Sequence, residues 1–281
     1  MAKALTINIG INEVDPAHYH GWNGRLKACE ADAGDMHRLA EAAGCKGPTI
    51  LTRQATADRV TAAIADAADQ LTGGDLLFLT YSGHGGQVPD LRGGDEEDEQ
   101  DETWVLYDRQ LVDDELYALW GRFAEGVRIF MLSDSCHSGS VAREFPWEAV
   151  LPETLGRFHP DAGGEAEAKQ VPWDLRDPIY RDNKKLYDDI QKANPDGDEV
   201  EVAAHVILIS GCQDNQLSLD GRRNGLFTSK LLEVWDGGRF RGGYRGLRRQ
   251  ILNRMPPTQS PNFFLAGRRS VAFERQKPLT V

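Results

Sequence analysis

The sequence predicts a three-layer α/β domain, with a mostly parallel central sheet of about six strands and helices on both faces. Two observations carry this. The runs "DLLFLTYS" (75–82), "VRIFMLSDS" (127–135) and "AHVILISGC" (204–212) are continuously apolar, as expected of central parallel strands covered on both sides. Stretches with helical spacing separate the strand-like runs, and such alternation builds a parallel sheet with helices packed on it.

Each element has its own reason. "KALTINIGIN" (3–12) is a short apolar run ending at Gly10 and Asn12, a first strand. "CEADAGDMHRLAEAAG" (29–44) places Ala31, Met36, Leu39, Ala40 and Ala43 at helical spacing, with Gly44 as a stop. "PTILTR" (48–53) is a brief second strand. In "TADRVTAAIADAADQLTGG" (56–74), Thr56 can cap a helix whose Val60, Ile64, Ala67 and Leu71 share one face, and Gly73-Gly74 ends it. After the 75–82 strand come an acidic loop (92–102), an extended piece "TWVLYD" (103–108) and a helix with carboxylates in its first turn (112–124). Beyond the 204–212 strand lie helices over 224–238 and 243–255 and a last strand, "PNFFLAG" (261–267).

Length and composition bound the function. The 281 residues suit one domain spanning 1–281. Residues 142–200 stand apart in texture: they carry Pro146, Pro152, Pro160, Pro172, Pro178 and Pro195, and they read as a long insertion or linker. A formal net charge of -12 argues against nucleic-acid partners and anionic membrane surfaces, and favours basic peptides, basic proteins or metal ions. The four cysteines, Cys29, Cys45, Cys136 and Cys212, form no CxxC pair, so a reducing, cytoplasmic setting is expected. The start "MAKALTINIGIN" has no signal-peptide core, and no apolar run is long enough to span a bilayer.

Two strand ends carry the chemistry. "DLLFLTYSGHGGQV" (75–88) breaks into Ser82-Gly83-His84-Gly85-Gly86, and "RIFMLSDSCHSGSV" (128–141) breaks into Ser135-Cys136-His137-Ser138-Gly139. In open α/β sheets, ligands bind at the carboxyl ends of strands. Alone, His84 fits an ordinary turn and Cys136 a small buried hydrophobe. Together they make a cysteine nucleophile and its base, because the thiolate is the attacking form and an imidazole can take its proton. His137 follows Cys136 directly, and neighbours on an extended chain point apart, so His84 is the preferred base. The glycines allow sharp turns and close backbone approach, and N–H groups around Gly85 and Cys136 are candidate oxyanion donors.

These boxes, "YSGHG" (81–85) and "DSCHSGS" (134–140), resemble the histidine and cysteine boxes of metacaspases, including the prokaryotic, bacterial orthocaspases. The resemblance extends to "RLKACEADAGDM" (25–36), "DDEL" (113–116), "ISGCQDNQLSLDGRRNGLFTSKLL" (209–232) and "QSPNFFLAG" (259–267), most of the chain except 142–200. It implies a caspase-like fold and an arginine- or lysine-specific cysteine endopeptidase using Cys136 and His84. It also implies a substrate pocket for the basic side chain walled by Asp32 and Asp134 and lined by Cys29 and Ser82. Asp134 has a reading of its own: two residues before Cys136 it shares a strand face, where a carboxylate can meet a guanidinium. Asp32 rests on the resemblance alone.

The same resemblance implies calcium activation. "DEEDEQDE" (95–102) holds seven carboxylates in eight residues, and Asp101, Asp113 and Asp114 fall on the family's ligand positions, with Asp98 as a substitute for Asp101. Arg143 stands at a further ligand position and is a poor calcium ligand. The alternative is an acidic rim attracting basic substrates. Between 142 and 200, Arg143, Arg157, Lys169, Arg176, Arg181, Lys184, Lys185 and Lys192 offer self-processing sites for such a zymogen, and an upstream activating protease is an alternative trigger. A monomer is expected. Other readings stay open: a catalytically silent caspase-fold signalling or scaffold protein, another caspase-fold peptidase of separase or gingipain type, and a calcium-binding module without catalysis.

Overall fold

A computed structural model describes residues 2–91, 100–136, 167–213 and 216–281. The central sheet has six strands: β1 (Ala4–Gly10), β2 (Thr49–Leu51), β3 (Leu76–Ser82), β7 (Arg128–Asp134), β8 (His205–Ser210) and β9 (Asn262–Gly267). Their order is β2-β1-β3-β7-β8-β9, parallel throughout except for β9, which runs antiparallel to β8. The three continuous apolar runs are the neighbours β3, β7 and β8.

Successive residues on a strand face opposite sides, so each run feeds two cores. Leu77, Leu79, Tyr81, Ile129 and Met131 pack under α2 (Ala57–Gln70) and α3 (Asp113–Trp120). Leu76, Phe78, Phe130, Leu132, Ile207 and Ile209 face the other way, against α1 (Cys29–Ala42), α6 (Leu226–Trp235) and α7 (Tyr244–Leu252). The Thr56 cap forms, its side chain accepting the Arg59 N–H.

Two parts depart from the pattern reading. β4 (Gly85–Pro89), β5 (Gln100–Val105) and β6 (Gln110–Val112) form a separate antiparallel sheet. The piece expected at 103–108 belongs there, and β4 is hidden because glycine is depleted in strands. The 142–200 stretch carries helices that the pattern reading did not place. Over 173–193 it forms α4 (Trp173–Asp182) and α5 (Lys184–Ala193), anchored by buried Ile179 and Tyr187. The Tyr187 hydroxyl meets the His18 ring and the Gln110 N–H. A short α8 (Val271–Arg275) follows β9. Among the described residues no helix is long and apolar enough to cross a membrane.

Candidate active site

β3 and β7 are adjacent and in register, with Ser82 opposite Asp134. That register sets the turns that follow side by side: Gly83-His84-Gly85 after β3, and Ser135-Cys136 after β7. The two boxes therefore meet at the carboxyl edge of the sheet. The approach is close, since a Cβ on Gly85 would lie 1.8 Å from the Cys136 carbonyl oxygen. Only glycine fits there.

His84 is buried and packs against Trp22, ring centroids 4.7 Å apart. Its Nε2 lies 2.9 Å from the Gly24 carbonyl, which fixes the proton on Nε2. Nδ1 then presents its lone pair; it makes no hydrogen bond of good geometry, with the Gln170 backbone beside the ring. Burial lowers the ring's pKa to about 4, against the Gly24 carbonyl, which favours the protonated form. The imidazole is thus neutral at pH 7.

The Cys136 thiol is buried and turned toward Ser218. It accepts the Ser218 N–H and reaches the Ser218 carbonyl. The neighbouring Cys212 thiol, raised well above its ordinary range by its contact with Cys136 and by burial, donates to the Ser135 carbonyl at 3.4 Å. No hydrogen bond joins Cys136 to His84 in this conformation.

Residues 167–171 lie between them. The Lys169 carbonyl oxygen accepts two backbone N–H groups, Gly85 at 3.0 Å and Cys136 at 3.1 Å. Two donors converging on one carbonyl favour negative charge on that oxygen. The segment is pinned as an added strand: the Lys169 N–H donates to the Ser218 carbonyl, the Asp220 N–H to the Glu167 carbonyl, and the Val171 N–H to the Gly85 carbonyl. Ala168 bridges antiparallel to Leu219, and Gln170 pairs with Gly85.

The Lys169 side chain runs into an acidic pocket. Its Nζ donates to Ser82 Oγ at 2.9 Å and contacts Asp32 Oδ2 at 3.1 Å and Asp134 Oδ2 at 3.2 Å. All three charged groups are sealed from water: Lys169 is 0% exposed, Asp32 1% and Asp134 2%. Burial disfavours the ammonium, but Asp134, Cys29 and Asp32 together more than offset that, and Lys169 titrates well above its ordinary range. Burial raises the Asp32 carboxyl to about 6, against the pull of Lys169. Cys29 is buried beside Ser82, its thiol pushed well up by burial.

The carboxylates are held by partners that sequence reasoning did not single out. Asp32 Oδ1 accepts from Asn224 Nδ2 and the Gly225 N–H, each at 3.0 Å. Asp134 accepts from the hydroxyls of Ser218 at 2.6 Å and Thr228 at 2.7 Å, and from the Thr228 N–H in the first turn of α6. That helix N-terminus supports the negative charge. Ser218, Asn224, Gly225 and Thr228 all fall in the 209–232 stretch, 82 or more residues from Cys136 in sequence, and no local pattern marks them.

The expected calcium ligands are not gathered in the same way. Asp98, like Arg143, Arg157 and His137, lies outside the described residues. Asp101 sits on β5 opposite Val88. Asp113 and Asp114 open α3, and Asp114 Oδ1 accepts the Gly197 N–H at 3.0 Å. Among the described residues no group of three or more His, Cys, Asp or Glu side chains could hold a metal ion; most of the acidic run, residues 95–99, lies outside them.

With this geometry in hand, likeness to known proteins is informative. The caspase-domain family profile matches residues 3–270. Metacaspase-1 of Mycosarcoma maydis is 31% identical over 248 residues, covering 80% of this chain and 60% of that protein. Metacaspase-1 of Kluyveromyces lactis is 31% identical over 254 residues, covering 82% and 56%. The chain thus spans somewhat more than half the length of these curated relatives. The crystal structure of protein GSU0716 from Geobacter sulfurreducens superposes with a TM-score of 0.86 at 46% identity, over 99% of each chain. Caspase-1 from Spodoptera frugiperda, at 10% identity, shares the fold with a TM-score of 0.52 over 95% of this chain and 86% of that one. By the family match and by the sheet that carries its two boxes, this chain belongs to the caspase-domain family, among its metacaspase-like members.

Proposed function

We propose that the chain is a cysteine endopeptidase that cleaves after lysine or arginine, and that its first substrate is its own Lys169–Gln170 bond. One observation carries the reading: Lys169 is held as a substrate residue would be. Its carbonyl lies between two N–H donors beside Cys136, its flanks are strand-paired, and its ammonium sits between two carboxylates. A site that receives an ammonium this way suits a guanidinium by the same charge logic.

The chemistry follows from the atoms present. The thiol rotates from Ser218 toward the Lys169 carbonyl carbon and gives its proton to Nδ1 of His84. Sulfur bonds to that carbon, and the oxygen takes the electron pair under the Gly85 and Cys136 N–H groups. The C–N bond to Gln170 then breaks, and imidazolium returns the proton to the departing amine. Water, deprotonated by the same imidazole, releases the Lys169 carboxylate and restores the thiol. In the state described the thiol faces Ser218, which makes it a latent form.

Calcium is the expected activator, by the family resemblance and by the acidic run at 95–102. Basic peptides and proteins are the proposed substrates, and an activating protease is the other route to opening.

The test is hydrolysis of fluorogenic peptides with Arg, Lys or Asp at P1, for wild type and Cys136→Ala, with calcium and with chelator. Intact mass is followed in parallel. Cleavage after Arg and Lys only, abolished in Cys136→Ala, with a wild-type cut after Lys169, is the expected result. Activity from a chain that stays intact would refute required self-processing. Silence in every condition, even after trypsin opens the chain, would refute the peptidase reading and favour a scaffold.

A further inference from the structure

We infer that Gly225 is the residue that sets the size of the acidic pocket, and so its capacity for a basic side chain. This rests on the peptidase reading for its functional meaning. The argument begins from backbone geometry. Gly225 has φ -59° and ψ 155°, a conformation open to any residue. It sits just before α6, where Ser, Thr, Asp or Asn would normally be favoured as a cap. Neither the turn nor the helix requires glycine.

The pocket does. A Cβ built on Gly225 would lie 2.4 Å from Lys169 Nζ, 2.6 Å from Asp134 Oδ2 and 3.2 Å from Asp32 Oδ2. These are the three charged tips of the site. The missing methyl is the space in which the ammonium rests. The Gly225 N–H meanwhile donates to both Asp32 oxygens, at 3.0 and 3.3 Å, a role any residue except proline could fill. The peptide group therefore positions Asp32, and the absent side chain leaves room for the guest.

Relief of the clash has a preferred direction. The carboxylate of Asp134 is held by Ser218, Thr228 and the first turn of α6, whereas Lys169 Nζ ends a flexible chain. Gly225→Ala therefore expels the lysine before it moves the wall. The acidic pair alone is then insufficient for recognition: charge without the vacancy at 225 excludes lysine, and excludes the broader guanidinium of arginine at least as strongly.

Two measurements test this. In processed enzyme, Gly225→Ala should lower kcat/KM for Lys and Arg peptides at least 100-fold. In a Cys136→Ala background, which cannot cut itself, native limited trypsin digestion should spare the Lys169–Gln170 bond. Adding Gly225→Ala should raise tryptic cutting there at least tenfold, with a cooperative melt retained. Unchanged kcat/KM, or an equally protected Lys169, would overturn the inference. If Gly225→Ala does not fold, it is combined with Lys169→Ala and read against Lys169→Ala alone: a double variant that melts no lower than Lys169→Ala supports the vacancy, and one that melts well below it overturns it. A wild type that stays silent toward Arg and Lys peptides even after trypsin opens the chain sinks the peptidase reading instead, while the trypsin comparison still decides the role of Gly225.

Discussion

Lys169→Met, made in the Cys136→Ala background, isolates the energetics of the buried charges. Methionine keeps much of the lysine's length and apolar stem but has no ammonium. Asp32 and Asp134 would be left facing each other, buried, with no cation. Removing one partner of a buried ion pair costs roughly 3–5 kcal/mol, because the remaining charge is uncompensated. For a chain of this size each kcal/mol moves the melting temperature by about 2 °C, so the loss at pH 8 should be about 6–10 °C. The pH dependence is the sharper check. Lys169 holds the Asp32 carboxyl down, so without it Asp32 titrates above about 6 and binds a proton readily at pH 5. Neutralising one carboxylate removes the repulsion, and the gap between variant and parent should shrink by at least half between pH 8 and pH 5. Differential scanning fluorimetry at the two pH values measures it. A gap under 2 °C at pH 8, or one that does not narrow at pH 5, would refute the buried triad.

Three further outcomes are expected. His84, held neutral with a pKa near 4 against 6.5 unfolded, makes the unfolded chain bind more protons between these values. Its stabilising contribution is therefore present above pH 6.5 and declines by roughly 3 kcal/mol as pH falls toward 4. Urea titrations at pH 4.5 and 7 should show that His84→Ala lacks this increment, while peptide hydrolysis is lost; a pH slope equal to wild type would contradict a buried neutral imidazole. Asp134→Asn removes one charge from the pocket but keeps its shape, and should lower kcat/KM for basic peptides roughly 10- to 150-fold, as loss of a charged hydrogen bond worth about 1.5–3 kcal/mol predicts. An effect confined to kcat would mean that Asp134 does not hold the basic side chain. Gly85→Ala would drive its Cβ into the Cys136 backbone and displace one of two donors to the Lys169 carbonyl. Roughly a 100-fold or larger fall in kcat is expected from loss of one such donor, and near-wild-type turnover would exclude Gly85 as an oxyanion donor.

The sheet was legible in the sequence because parallel strands buried on both faces carry no polar alternation, and β3, β7 and β8 show that plainly. Cys136 and His84 were legible because both follow such strands and break into glycine-flanked polar turns. Asp134 followed from strand periodicity, whereas Asp32 came only from family resemblance, since a carboxylate in a first helical turn is ordinary. The second sheet was missed because Gly85-Gly86 weakens a five-residue strand and β6 has only three residues. Helices α4 and α5 were masked by prolines and scattered charge. Lys169 was one of eight basic candidates. What singles it out is contact with Asp32 across 137 residues of sequence, a property of the folded chain that no local window contains.

The order of strands has a consequence for what a cut after Lys169 would leave. That bond lies between β7 and β8 in sequence, yet those strands are hydrogen-bonded neighbours over six register pairs. Residues 1–169 would keep Asp32, His84, Asp134 and Cys136, and residues 170–281 would keep Ser218, Gly225 and Thr228. Neither piece owns a whole pocket. The nicked protein would be two polypeptides sharing one sheet and one core, held by the same apolar burial that folds the intact chain. Parting them would be an unfolding event rather than a dissociation, so the halves should co-elute at any dilution at which the protein remains folded.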